Sequence, residues 1–173
     1  MWLSALVPSR VPAEQDASLD ACRAETLLQH VPQPHVAFAE MVRVVKPGGR
    51  IVLLDMDLGT LVIDSDDHAT TSRVLGGAAN ATINGWIGRQ LRRFLKDAGF
   101  ADVGGCEQFI ESDYAFMEQS LRLVSTRVVD EHQLPGLTRS DLTDWWADLE
   151  AASRAGRFYG GATAFIAWGT KPR

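Results

Sequence analysis

The stretch DACRAETLLQHVPQPHVAFAEMVRVVKPGGRIVLLDMD, residues 20–57, decides the fold of this chain. It begins with a short run of β-forming residues, and Pro34 then fits the first turn of a helix, where its missing N–H costs no hydrogen bond. Lys-Pro-Gly-Gly at residues 46–49 ends that helix. Residues 50–54 are almost all apolar, which is typical of a parallel strand covered on both faces. The stretch therefore predicts a strand–helix–strand unit.

The residues after this unit continue the alternation of helices and strands. In chain order we predict an irregular segment at 58–80, a helix at 84–98, a strand at 102–110 and a strand at 162–168. Two more helices lie between the last two strands. Ser112 is the expected cap of the first, and a capping box of Thr138 with Asp141 begins the second. This order predicts an α/β sheet with right-handed crossovers.

Composition and charge narrow the classes of partner. The chain has 173 residues, of which 46% are hydrophobic and 23% charged, with a formal net charge of -5. The negative charge argues against nucleic acid or an anionic membrane surface as a partner. Cys22 and Cys106 are too few for a disulfide framework, and the apolar start is too short to span a bilayer. We expect a cytoplasmic protein with reduced thiols.

Several motifs resemble class I S-adenosylmethionine-dependent methyltransferases, most of all the ubiquinone/menaquinone-biosynthesis-like type 11 group. They are Leu19-Asp20, L-x-H-V at 28–31, E-x-x-R-V at 40–44 and Lys-Pro-Gly-Gly at 46–49. Residues 84–103 resemble that family's next helix and sixth strand, and residues 154–172 its antiparallel seventh strand. The resemblance implies strands four to seven of a Rossmann-like methyltransferase sheet. The domain would span residues 20–173, with a helical insertion at about 112–156.

One motif of the family has no counterpart in this sequence. The family's glycine-rich turn lies upstream of the matched strands, whereas the first glycine of this chain is Gly48. We therefore expect a truncated chain that holds only the C-terminal part of the domain, with an incomplete sheet. The first predicted strand would then have an open edge, which invites pairing. We expect a dimer or a partner chain to complete the sheet, or residues 1–19 to cap its edge or act as a swapped arm.

The resemblance also implies a site for S-adenosylmethionine at the end of the first predicted strand, formed by Arg23, Ala24 and Glu25. The Glu25 carboxylate would favour the positive sulfonium, and the alternative is an ion pair between Glu25 and Arg23. His30 is the implied catalytic residue, as a general base. Its alternative role is a loop histidine that hydrogen-bonds the backbone.

A second group of side chains is expected to bind the acceptor. Asp55 and Asp57 end the second predicted strand, where they either orient a polar acceptor or cap the following loop. Trp86, Phe158 and Tyr159 are candidates to line a pocket for a flat, apolar acceptor. The resemblance implies that Arg157, Phe158 and Tyr159, just before the last predicted strand, shape the acceptor pocket. No metal site is predicted, because the histidines and cysteines lack metal-ligand spacing.

These expectations combine into one predicted function with two open alternatives. The function is methyl transfer from S-adenosylmethionine to a small, aromatic or polyketide-like acceptor, by an enzyme or a truncated relative of one. The first alternative is a non-catalytic binding or assembly module. The second is a repurposed cyclase or isomerase that transfers no methyl group. The Lys-Pro-Gly-Gly motif favours the enzyme, and the missing glycine-rich turn favours the alternatives.

Overall fold

A computed structural model describes residues 14–173 of the chain. Its elements are β1 (Leu19–Glu25), α1 (Pro34–Val44), β2 (Val45–Ile63), α2 (His68–Ala81), a 3₁₀ turn (Gly88–Gln90), α3 (Leu91–Asp97), β3 (Ala101–Glu111), α4 (Tyr114–Asp130), α5 (Arg139–Arg154) and β4 (Gly160–Thr170). Residues 1–13, most of the predicted edge cap or swapped arm, lie outside this range.

The first half of the sheet is the parallel unit that residues 20–57 predict. β1 pairs with β2 in parallel, and Glu25 lies opposite Leu54 in the register. The helix between them, α1, begins with Pro34 in its first turn and ends at Val44. Its apolar stripe buries Phe38 and Met41. The predicted strand–helix–strand unit is confirmed.

The last strand runs antiparallel to β2. The Gly48 amide donates to the Lys171 carbonyl at 2.8 Å, and the Asp64 amide donates to the Tyr159 carbonyl at 2.9 Å. Residue numbers therefore rise along β2 while they fall along β4. The complete order is β1-β2-β4-β3. This α/β sheet with an antiparallel last strand agrees with the predicted fold class.

The described residues form two compact units, each with its own core. Unit 1 holds the residues up to Met56, Trp86–Gln108 and Ala164–Arg173, and unit 2 holds Asp57–Gly85 and Phe109–Thr163. The core of unit 1 gathers residues of β1, α1, β2 and α3 around Ile51 and Leu53, which are fully buried. The core of unit 2 is formed mainly by α2, α4 and α5. The predicted single domain over residues 20–173, with its helical insertion, stays a prediction.

The prediction of an irregular segment at residues 58–80 is wrong. β2 continues to Ile63, and α2 occupies His68–Ala81. The helix contains two glycines and two threonines, which have low helix propensity and weaken the helix signal of its alanines. Its buried face, which includes Val74 and Ala78, packs against α4 and α5. Tertiary contacts therefore stabilise a helix that local propensity alone does not predict.

Two helix starts also differ from prediction. The helix expected at residues 84–98 is a 3₁₀ turn at Gly88–Gln90 followed by the short α3. The cap of α4 is Asp113 rather than Ser112, and its side chain accepts from the Phe116 amide. The predicted capping box of Thr138 is confirmed at the start of α5. No helix among residues 14–173 is long and apolar enough to cross a membrane.

Candidate functional site

The loop that follows β1 holds a strained residue. Thr26 has φ +51°, in the left-handed region that a β-branched side chain rarely adopts. Its amide donates to the Leu54 carbonyl at 2.8 Å, which ties the loop to β2. Such strain costs about 1–3 kcal/mol and persists only where surrounding contacts hold the backbone, often at functional sites.

Asp55 supplies those surrounding contacts. Its side chain is fully buried, and its two carboxylate oxygens accept from the Leu28 amide at 3.1 Å and the Gln29 amide at 3.3 Å. Burial raises the pKa of Asp55 to about 6, although the two amide donors act in the opposite direction. Asp55 therefore fastens the loop at residues 26–30 to β2. Its predicted contact with an acceptor stays a prediction.

His30 lies at the end of the same loop. Its side chain is exposed, and its amide donates to the Leu27 carbonyl at 3.0 Å. One ring nitrogen, Nε2, lies 2.9 Å from the amide nitrogen of the buried Gln29 side chain. Because Asp55 binds the Gln29 backbone, the position of His30 depends on Asp55 through one intermediate residue. The predicted role of His30 as a base stays a prediction.

The three residues predicted to hold the cofactor divide between two faces of β1. Ala24 is buried in the core of unit 1. Arg23 and Glu25 point to the opposite face, where they form an ion pair with each side chain about half exposed. Of these three, only the Glu25 carboxylate matches the positive charge of a sulfonium, and Arg23 already neutralises it. The residues present thus fit S-adenosylmethionine only in part.

Trp86 is the one predicted acceptor residue besides Asp55 that lies in unit 1. Its ring is 37% exposed, and the Arg89 guanidinium lies over it at 4.6 Å from the ring centroid. This cation–π contact holds the indole at the surface rather than in a core. The exposed aromatic face leaves the predicted acceptor role of Trp86 open.

The other predicted acceptor residues belong to unit 2. Asp57 is fully buried, and its Oδ1 accepts from the Gly59 amide at 3.0 Å. Arg157 is exposed, and its backbone amide donates to the Ala152 carbonyl at the end of α5. Tyr159 stacks on Phe109 with ring centroids 6.0 Å apart. These residues therefore make local contacts, and their acceptor roles stay predictions.

Phe158 lines a cavity of about 350 Å³ in unit 2. The other residues of its wall lie at the carboxyl end of β3, the start of α4 and the end of α5, and are Glu111, Ser112, Asp113, Tyr114, Ser153 and Gly156. Pockets for small organic ligands have volumes of about 300–1,000 Å³. This cavity is therefore large enough for a small ligand.

Sequence reasoning missed most of this wall. Of its residues, only Phe158 is among the predicted site residues, and Ser112 was expected only as a helix cap. The local signal was present, because polar residues at 111–113 directly follow a strand and precede a helix. What links them to Ser153 and Phe158 is the packing of α4 and α5, which local sequence does not report. Among residues 14–173 no group of three or more acidic, histidine or cysteine side chains could hold a metal ion.

Known proteins share both sequence and fold with this chain. A family of methyltransferase domains matches residues 9–53, which includes β1, α1 and the start of β2. An uncharacterised 37.1 kDa protein of transposon Tn4556 from Streptomyces fradiae is 34% identical over 156 residues. That alignment covers 88% of this chain, and the chain spans 43% of the length of that relative.

Two solved structures share the fold. The YcgJ protein of Bacillus subtilis has a TM-score of 0.55 at 14% identity, over 95% of this chain and 68% of that protein. A candidate methyltransferase of Bacillus halodurans C-125 has a TM-score of 0.52 at 18% identity, over 95% of this chain and 68% of that protein. The described residues thus share the fold of these two proteins, in agreement with the fold that the motifs in residues 20–57 predict.

Proposed function

We propose that this chain, which has the class I methyltransferase fold, takes part in methyl transfer from S-adenosylmethionine to a small-molecule acceptor. The observation that carries the proposal is the loop at residues 26–30. It is strained at Thr26, fastened by Asp55, and lies within the segment that matches methyltransferase domains. In open α/β sheets, ligands bind beyond the carboxyl ends of the strands, where this loop begins.

The chain's own residues have positioning roles in this proposal. The ionised Asp55 carboxylate holds the Leu28 and Gln29 amides and thereby sets the loop that carries His30. Methyl transfer from a sulfonium depends mainly on proximity and orientation of the two reactants. His30 would accept a proton from an acceptor that must lose one. When bound, the cofactor would supply the electrophilic methyl group.

The partial fit to the cofactor limits what these residues do alone. Residues 1–47 contain no glycine, so these residues offer no glycine-rich turn for the methionine portion of the cofactor. The ion pair between Arg23 and Glu25, which neutralises the carboxylate suited to a sulfonium, favours the second candidate function, a binding or assembly module or a cyclase or isomerase without methyl transfer.

Calorimetric titration with S-adenosylmethionine at pH 7.5 tests the proposal. We expect saturable binding that weakens about tenfold, or about 1.4 kcal/mol, in Asp55→Asn, because the loop loses its ionised acceptor. The matched control is Asp66→Asn, the same change at an exposed aspartate of unit 2, which should bind as the wild type does. A folded chain that binds no cofactor would instead support the module or the cyclase.

We also propose that the outer edge of β1 pairs with a second copy or a partner chain. β1 is the end strand of the sheet order, and no strand among residues 14–173 pairs with its other side. An unpaired edge exposes backbone donors and acceptors that readily bind another strand. Light scattering of the purified chain tests this, since a monomer mass at micromolar concentration would contradict pairing with a second copy.

A further inference from the structure

The cavity at the carboxyl end of β3 carries charges of one sign. Glu111, the last residue of β3, is exposed and forms no ion pair among residues 14–173. Asp113 lines the same wall, and its Oδ1 accepts from the Phe116 amide at 2.8 Å. The wall thus has two carboxylates and no lysine or arginine, while the Arg122 guanidinium lies beyond the wall, next to the Tyr114 phenol.

Helix ends reinforce this preference. Ser153 lies in the last turn of α5, which ends at Arg154, and Gly156 follows with φ +66°. The carbonyl end of a helix has a partial negative charge that favours cations. The amino end of α4 also borders the cavity, but there the Asp113 carboxylate already occupies the place that an anion would take. The end of α5 therefore favours a positive ligand, and the capped start of α4 leaves no free place for an anion.

Two aromatic rings complete the wall. Tyr114 and Phe158 meet edge to face, with ring centroids 5.6 Å apart. Burial raises the pKa of the Tyr114 phenol, so this ring stays neutral at pH 7. Aromatic faces attract ammonium groups and also contact apolar groups. The combination of rings and carboxylates suits a ligand that has both a charge and an apolar part.

We propose that this cavity binds a small organic cation, an alkylammonium or arylalkylammonium ion. The ammonium group lies between the Glu111 carboxylate and the last turn of α5, and the apolar part lies against Tyr114 and Phe158. This site goes beyond the proposed methyl transfer and does not depend on it. Loss of cofactor binding in the titration above would leave it unaffected.

Three ligands of similar shape and different charge test the proposal. They are 2-phenylethylammonium, 2-phenylethanol and phenylacetate, each titrated into the full chain at pH 7.5 and followed by NMR or calorimetry. We expect the cation to bind about three- to tenfold more tightly than the alcohol, and phenylacetate to bind least tightly, since an exposed ion pair and a cation–π contact each contribute modestly.

Substitutions in the wall test whether this preference for a cation arises at the cavity. Glu111→Gln should weaken cation binding about threefold while leaving 2-phenylethanol unchanged. Phe158→Leu should weaken the cation about two- to fivefold. The matched control, Glu131→Gln, makes the same acid-to-amide change after the far end of α4 and should bind as the wild type does. Circular dichroism establishes folding, and the exposed Glu111 keeps the test usable if Phe158→Leu does not fold.

Three results would overturn the proposal. The first is an absence of saturable cation binding at millimolar concentration by a folded chain. The second is binding of 2-phenylethanol or phenylacetate as tight as that of the cation. The third is an unchanged cation affinity in Glu111→Gln, since the carboxylate would then contribute nothing to recognition.

Discussion

Substitution of Asp55 by asparagine should change how the stability of the chain depends on pH. The carboxyl group is fully buried, and burial raises its pKa from the ordinary value of 3.8 to about 6. Between these two values the folded chain binds a proton that the unfolded chain has already released. The free energy of unfolding therefore falls as pH rises through this window, because the folded state must keep a charge away from water.

The magnitude follows from the two pKa values. Each tenfold change in the proton equilibrium corresponds to about 1.4 kcal/mol, so the step from 3.8 to about 6 corresponds to about 3 kcal/mol. This destabilisation by the buried carboxylate is absent below about pH 4 and complete above about pH 7. Asp20, Asp67 and Asp141 have lowered pKa values, so their stabilisation rises with pH and is lost in acid below the window. The window between pH 4 and 7 thus reports mainly on Asp55.

The assay is urea unfolding of the wild type and Asp55→Asn at several pH values from 4 to 7. Asparagine cannot ionise, so the difference in unfolding free energy between the two proteins should change by up to about 3 kcal/mol across the window. The amide group of asparagine also leaves one backbone donor without an acceptor. That costs about 1–3 kcal/mol, but equally at every pH.

The change with pH, rather than the offset, is therefore the test. Asp66→Asn, at an exposed position, should follow the wild-type profile. A difference between wild type and Asp55→Asn that stays flat from pH 4 to 7 would refute the reasoning. The reasoning would also be refuted if the wild type became more stable relative to Asp55→Asn as pH rises. Stability that rises with pH is expected of a carboxyl group whose pKa is lowered by folding, not raised.

Three further substitutions test the packing of unit 2, each by urea unfolding. Thr71→Val should destabilise by about 1–3 kcal/mol, because the buried Trp145 indole N–H donates to the Thr71 hydroxyl at 2.9 Å and would lose its acceptor. Thr138→Ala should cost about 1 kcal/mol through loss of the α5 cap, whereas serine there should restore stability. Gly161→Ala should destabilise by more than about 1 kcal/mol, since its Cβ would collide with the Ile110 carbonyl oxygen, and wild-type stability would contradict this close contact.

Local sequence signals predicted the elements with clear starts and stops. The capping box of Thr138 and the proline start of α1 both depend on residues within one or two turns. The sequence by itself also determined the parallel β1–α1–β2 unit. The apolar residues of α1 recur with the period of a helix, whereas those of β2 form a nearly continuous run, so the two patterns predict a helix and a buried strand.

Only the tertiary structure decided the remaining features. α2 forms because Val74 and Ala78 are buried against α4 and α5, although its glycines and threonines lower its helix propensity. Asp55 binds amides 26 and 27 residues earlier, and the register of β1 against β2 selects those partners. The physical reason is the same in both cases. Burial and hydrogen bonding between residues distant in sequence depend on where the whole chain packs, whereas turns, caps and hydrophobic periods are local.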